Sequence, residues 1–187
     1  ATVDPKHKNY AKWLGESGVQ LLKMLNEVLD IVSADNLQEV DKHKETFNIS
    51  RMVNDIVELE QPSTQLKGLK LIANVDDNIP QALICDYTKL HRILLNLLGN
   101  AIKFTQRGQV KLSVSLQKRF ANKVRVRFVV ADTGIGISKD LQAKVFDRFF
   151  RITPSYKGVY AGSGVGLHIA QSYAQLLGSH IYLTSEV

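Results

Sequence analysis

Residues 90–105 read Leu-His-Arg-Ile-Leu-Leu-Asn-Leu-Leu-Gly-Asn-Ala-Ile-Lys-Phe-Thr, and this stretch decides the fold. Leu90, Leu94, Leu97, Leu98 and Ala101 recur at helical spacing and make one apolar stripe. Asn96, Asn100 and Lys103 follow one another at helical spacing and share a second, polar face. Asn is a mediocre helix former because its amide competes for backbone hydrogen bonds. Two of them inside a Leu-rich helix ask for a reason. An amide oxygen is a hard, neutral ligand for Mg²⁺, and an ammonium meets phosphate oxygens, so this face suits a metal–triphosphate. The competing reading is an amphipathic helix whose polar face carries Asn without a ligand. The helix alone leaves both open.

Downstream, Arg107-Gly108 turns into an expected strand over Gln109–Leu116, and Val124–Ala131 makes a second. Both alternate apolar with polar residues, the pattern of an antiparallel hairpin with one buried face. Asp132-Thr133-Gly134-Ile135-Gly136-Ile137 follows at once. Its glycines allow positive φ and close backbone approach. A carboxylate at a strand's end can accept from the exocyclic amine of adenine, where guanine presents a carbonyl. An ordinary Asp-initiated turn explains the same residues. Ser138–Lys144 suggests a short helix, and Phe146-Asp147-Arg148-Phe149-Phe150-Arg151 is aromatic and basic together. Arg148 and Arg151 can reach phosphates, or they are solvated residues on a hydrophobic cluster. Ile152–Ala161 reads as a flexible loop. Gly162-Ser163-Gly164-Val165-Gly166-Leu167 then opens a helix over Leu167–Leu177, presenting backbone N–H groups to an anion. The spacing is that of neither a Walker A loop nor a dinucleotide-binding turn. Gly178 ends the helix, and His180–Thr184 is expected to be a last strand.

Upstream, Tyr10 to about Ala34 is helical. Leu14, Leu21 and Val28, and again Gly18, Leu25 and Val32, stand seven apart, making a heptad seam that needs a partner. Residues 35–44 are polar and read as a linker, with a short strand over Glu45–Ile49. Ser50 is the expected cap of the next helix, ended or kinked at Pro62. Leu69–Val75 and Ala82–Cys85 read as strands, and Asp86 as the cap of the Asn-bearing helix.

The chain has 187 residues, enough for a core without disulfides, and a single cysteine, Cys85, which reads as a buried small hydrophobe. No apolar run approaches membrane-spanning length. The net charge of +6 points to an anionic partner. The basic residues are scattered and no nucleic-acid motif is present, so a nucleotide, or a generic solvated surface, accounts for the charge as well as DNA would, and no nucleic-acid partner is expected.

Taken in order, these pieces resemble the catalytic ATP-binding domain of sensor histidine kinases, the Bergerat-type fold. Residues 96–105 resemble its N box, Asp132–Ile137 its G1 box, Phe146–Phe150 its F box and Gly162–Leu167 its G2 box. Residues 10–34 are similar to the second helix of the family's dimerisation hairpin. The resemblance implies an α+β fold: a two-layer sandwich, its mixed and largely antiparallel sheet covered by helices on one face. It places a partial dimerisation helix at 1–36, a linker at 37–44 and the ATP-binding domain at 45–187. The implied cofactors are ATP and Mg²⁺. Asn100 would ligate the metal with Asn96 beside it, and Lys103 would touch phosphates. Asp132, Gly134 and Gly136 would form the adenine pocket. Arg148, Arg151, Gly162, Gly164, Gly166 and Leu167 would close on the nucleotide, within a lid from about Asp147 to Ser163.

ATP-hydrolysing members of this fold, such as gyrase-type topoisomerases, resemble this helix but carry a Glu one turn before the metal Asn. Asn96 stands at that position and cannot act as a base. Transfer to a separately supplied histidine is therefore favoured over hydrolysis, by positioning and metal. His7, His43, His91, His168 and His180 all lack the family's phosphoacceptor context. The first hairpin helix and the final strand of the family pattern are both missing, so the sequence reads as a fragment. The implied partners are a response regulator or receiver domain, and a second copy through the N-terminal helix. The implied setting is a cytoplasmic domain, with anchoring of the whole protein in the inner membrane left open. A nucleotide-sensing or scaffold module of the same fold is the alternative.

Overall fold

The computed structural model describes residues 43–152 and 163–187, together with residues 10, 13–15, 17–18, 21–22, 25 and 29. The chain runs β1 (Lys44–Phe47), α1 (Ile49–Lys67), β2 (Lys70–Val75), β3 (Leu83–Asp86), α2 (Tyr87–Phe104), β4 (Gln109–Arg119) and β5 (Val124–Asp132). The short α3 (Lys139–Gln142), a 3₁₀ turn (Lys144–Phe146) and α4 (Gly166–Leu176) complete it.

β2, β4 and β5 form one sheet in that order, with β2 parallel and β5 antiparallel to β4. β1 and β3 make a separate antiparallel pair. Alternation along β4 decides which face is buried. Val110, Leu112 and Val114 are almost fully buried, and the residues between them point away from the helices. Against that face lie Met52, Val53 and Ile56 of α1 and Leu94, Leu98 and Ala101 of α2. The fold is therefore the expected α+β sandwich, with helices on one face of a mixed sheet.

α2 is buried on two sides. Ile93 and Leu97 face a second cluster made by Val165, Ile169, Ala170, Tyr173 and Ala174 of α4 and its approach. That leaves a third strip of α2, carrying Asn96, Asn100 and Lys103, partly open to solvent.

Several boundaries differ from the sequence pattern. Asn48, not Ser50, caps α1: its side chain accepts from the Arg51 N–H at 2.9 Å. Ser50 lies within the helix. Pro62 sits inside α1, which continues to Lys67 and closes on Gly68 at φ 64°. Pro62 is solvent-exposed, so the carbonyl that loses its N–H partner there can take water. Lys44, assigned to the linker by its charge, opens β1; residues 37–42 of that linker lie outside the described residues. β4 and β5 run longer than expected, with an irregularity between Leu116 and Lys118.

The strand expected at His180–Thr184 is absent. Side-chain alternation is present, since Ile181 and Leu183 are half-buried and Tyr182 and Thr184 exposed, but no ladder forms. The segment is held through Ser185 instead. Its Oγ accepts from the Ile137 N–H at 2.9 Å, and its carbonyl accepts from Gln142 Nε2 at 2.9 Å. The described residues of the N-terminal segment are helical, and Leu14, Leu21, Leu22, Leu25 and Leu29 are exposed. Val28 and Val32 of the expected seam lie outside the described residues.

Candidate functional site

The site is built on α2, and both ends of that helix are fixed by side chains. At its start, Asp86 accepts from the Lys89 N–H at 2.9 Å and pairs with the Lys89 ammonium. At its end, Lys67 of α1 donates to the carbonyls of Ile102 (2.7 Å), Lys103 (2.8 Å) and Thr105 (3.3 Å). A cation on the last carbonyls satisfies acceptors that the helix cannot, and favours the negative end of its dipole. Thr105, fully buried, adds a bond from its hydroxyl to the Ala101 carbonyl at 2.7 Å. The amide face is thus presented on a helix that cannot easily fray. The Lys103 ammonium lies 4.8 Å from the centre of the Phe104 ring.

Two glycine turns close onto this helix at different heights. The turn after β5 is seated on its C-terminal end. A Cβ at Gly134 would come within 2.8 Å of the Phe104 carbonyl oxygen and 2.6 Å of Asp132 Oδ1, so only glycine allows the approach. The Gly134 N–H donates to Asp132 Oδ1 at 2.8 Å, which orients the exposed carboxylate. Thr133 locks the turn to the start of β4: its hydroxyl accepts from the Gln109 N–H at 3.0 Å and donates to the Arg107 carbonyl at 3.2 Å. Gly136 has φ 72°, and the backbone of Glu186 lies directly over it.

The second turn meets the middle of α2. A Cβ at Gly166, the first residue of α4, would lie 2.8 Å from Asn96 Oδ1 and 3.8 Å from Asn100 Nδ2. Leu167 follows in the first turn of α4 and is half-buried. Gly164, at φ 80°, is pressed against the Phe150 carbonyl and the Arg151 side chain. Arg148 donates through Nε to His168 Nε2 at 2.9 Å, and His168 Nδ1 lies 3.1 Å from the Phe146 carbonyl. Phe149 is exposed and adopts φ 60°, an uncommon conformation for an aromatic residue. Gly162 and most of the expected lid lie outside the described residues.

The structure therefore brings Gly166 against Asn96 and Asn100 where α2 meets α4, packs Gly164 against Arg151, and sets Arg148 on the first turn of α4. Asp132 and Gly134 lie at the far end of α2. Residues 96 and 104 are about 12 Å apart along the helix axis at about 1.5 Å per residue, a separation suited to an extended nucleoside triphosphate. Three contributors escape a reading by motif. Lys67 is a lone basic residue at the end of another helix, and Thr133 is the unremarked residue between Asp and Gly. His168 follows the glycine motif and makes sense only once Arg148 is seen beside it. Cys85, expected to be buried, is only half-buried, and that partial burial pushes its thiol pKa up.

Residues 85–187 match the family of histidine kinase-, DNA gyrase B- and HSP90-like ATPases, more than half of the chain. The chain belongs to this family. Within it the similarity is to histidine kinases. The chain is 34% identical over 168 residues to hybrid signal transduction histidine kinase L of Dictyostelium discoideum, covering 90% of this chain and 10% of that protein. It is 33% identical over 180 residues to the sensory/regulatory protein RpfC of Xanthomonas campestris pv. campestris, covering 96% of this chain and 25% of that protein. The chain thus spans a quarter or less of these two relatives' length. Among solved structures, full-length ShkA in complex with AMPPNP superposes with a TM-score of 0.77 at 30% identity, over 95% of this chain and 35% of that one. The mycobacterial sensor histidine kinase MprB gives a TM-score of 0.56 at 26% identity, over 72% of this chain and 80% of that one. No helix among the described residues is long and apolar enough to cross a membrane.

Proposed function

We propose that this domain binds ATP with Mg²⁺ along the polar face of α2 and donates the γ-phosphoryl group to a histidine on a dimerisation helix, as the kinase step of two-component signalling. One observation carries the reading: Gly166, at the mouth of α4, fits against Asn96 and Asn100 so closely that a methyl group would strike the Asn96 amide. A glycine loop opening a helix supplies N–H donors and a positive dipole end for phosphate. Amide oxygens beside it supply neutral ligands for a cation held between phosphates.

The donor set fits Mg²⁺ held chiefly by nucleotide. Among the described residues no cluster of three or more His, Cys, Asp or Glu could cage a metal. Mg²⁺ in nucleotide enzymes commonly takes one or two protein groups, with phosphates and water completing the shell. Asn100 would be that ligand, with Asn96 beside it. When bound, the ion neutralises charge on the phosphate oxygens. Asp132 Oδ1 accepts from the Gly134 N–H, and the oriented carboxylate would accept in addition from the adenine amine, with Gly134 and Gly136 shaping the pocket. Lys103, Arg148 and Arg151 would meet phosphate oxygens. An amide at 96 cannot take a proton from water, which suits the site to transfer and not to hydrolysis.

Residues 1–36 would be the partial dimerisation helix, joined by a linker to the catalytic domain. The exposed Leu14, Leu21, Leu22, Leu25 and Leu29 would pack against a second copy. A response regulator or receiver domain would take the phosphoryl group onward, and the domain would work in the cytoplasm. Calorimetry with ATP and GTP tests the site. ATP should bind more tightly and only with Mg²⁺. Asp132→Ala should bring the two nucleotides to parity, and Asn100→Ala should flatten the Mg²⁺ dependence. An added dimerisation hairpin should gain phosphohistidine. Equal affinity of the unaltered chain for ATP and GTP would overturn the assignment.

A further inference from the structure

We infer that His168 is a positioning residue for phosphate recognition: its neutral imidazole, anchored to the Phe146 carbonyl, holds the Arg148 guanidinium over the first turn of α4, where it meets the phosphate oxygens of a bound triphosphate. This rests on the nucleotide-binding reading above.

The geometry sets the protonation state. Arg148 Nε is a donor only, so His168 Nε2 must accept across the 2.9 Å contact. The proton then sits on Nδ1, which donates to the Phe146 carbonyl at 3.1 Å. Both anchors are mounted on packed elements. Val145 of the 3₁₀ turn is buried, and Val165 and Ile169, which flank His168 in sequence, are almost completely so. Arg148, by contrast, is exposed. A free arginine side chain carries about 2 kcal/mol of rotamer entropy. A fixed imidazole restrains it before ligand arrives.

Location gives the restraint a purpose. Gly166, two residues before His168, abuts Asn96 and Asn100. The guanidinium is thus tethered at the first turn of the helix whose opening glycine touches the amide face. Bonding through Nε leaves the orientation of the guanidinium plane to the imidazole, while the Nη fork is the part that matches phosphate oxygens bidentately. A lysine at 148 could not do both.

Calorimetry on the full chain tests this with ATP and AMP, using His168→Phe, His168→Gln, Arg148→Gln and the double variant His168→Phe/Arg148→Gln. His168→Phe should weaken ATP about tenfold, the scale of a charge-assisted hydrogen bond, and leave AMP within about twofold. His168→Gln, which can accept and donate at once, should restore ATP binding to within about threefold of the unaltered chain. The double variant should bind ATP no worse than Arg148→Gln alone, because the two residues act as one unit. Equal losses for ATP and AMP, or additive losses in the double variant, would overturn the inference. So would unchanged ATP affinity in His168→Phe while the unaltered chain binds. If His168→Phe unfolds, the Gln and Arg148→Gln comparison decides: Gln binding ATP as weakly as Arg148→Gln overturns the inference. Failure of the unaltered chain to bind ATP at all would instead sink the nucleotide reading and the inference with it.

Discussion

The two sides of α2 differ. On one side Leu94, Leu98 and Ala101 join α1 and the sheet in a large, continuous core. On the other, Ile93 and Leu97 meet a smaller cluster made by α4, its approach and the residues just beyond it, Leu177 and Ile181. The Asp132 turn belongs to the first body, because Thr133 and Gly134 tie it to β4 and to the end of α2. The Gly166 loop and the Arg148 segment belong to the second. On the proposed reading, base specificity and grip on the phosphates would thus be mounted on bodies of unequal strength. Burial is what differs: a small cluster holds its helix with less apolar area, so it opens at lower free energy. If the site binds ATP as proposed, this would separate a rigid base pocket from a more weakly held phosphate clamp.

Truncation of each core should break the comparison first. Leu98→Ala removes a fully buried side chain between helix and sheet and should cost about 2–5 kcal/mol in urea unfolding. Hydrogen exchange should then accelerate in β4 and in α4 together. Ile169→Ala, in the smaller cluster, should release α4 while β4 keeps its protection. Equal acceleration of β4 in both variants would make the two clusters one cooperative unit.

Gly166→Ala should have a smaller and more local effect. The added methyl would sit 2.8 Å from Asn96 Oδ1, the end of a side chain that can turn aside. Stability should fall by about 1–2 kcal/mol or less, while ATP affinity drops about tenfold because the amide face is displaced. Gly68→Ala offers a contrast. That residue, unlike Gly166, sits at positive φ, and a Cβ there meets open space, so its backbone strain should destabilise without touching ATP binding.

What could be read from sequence follows the same division. Helix periodicity located α2, and alternation located β4 and most of β5, because burial recurs along each with the period of its backbone. Asp86 was legible as a cap, since the carboxylate precedes the first apolar repeat. Asn48 was not, because Ser50 offered an equally good oxygen and only the direction of β1 decides between them. Pro62 misled for the opposite reason: local preference against proline in a helix is overridden where the helix's other face is buried in the core. The last strand failed because alternation specifies a pleated segment but not a partner for its backbone. The amide face and the glycines were legible as motifs. The bonds that fix their surroundings, from Lys67 to the end of α2, Thr133 to the start of β4 and Arg148 to His168, join residues far apart in the chain, and no local pattern encodes such a meeting.

The smallest expected effect belongs to the sheet body and concerns acid. Asp76 caps the turn after β2: its carboxylate accepts from the Asn78 N–H and side-chain amide at 2.9 Å and from the Leu116 N–H at 3.0 Å. The Asn78 and Leu116 backbone bonds hold its carboxyl below the ordinary Asp range, with the Asn78 amide adding to them. A group whose folded pKa is depressed contributes stability above its unfolded pKa and loses it as pH falls through the folded value. Asp76→Asn should therefore show a stability deficit that is constant through neutral pH. The deficit should shrink only below about pH 4, where the unfolded carboxyl begins to hold its proton. Urea unfolding at neutral and acid pH reads this directly. Because the bond to Leu116 is made within the sheet, the deficit should leave the clamp alone: ATP affinity at neutral pH should match that of the unaltered chain. A variant that lost affinity in step with stability would mean that strain in the sheet reaches α4 through α2, and that the two bodies are less independent than their packing implies.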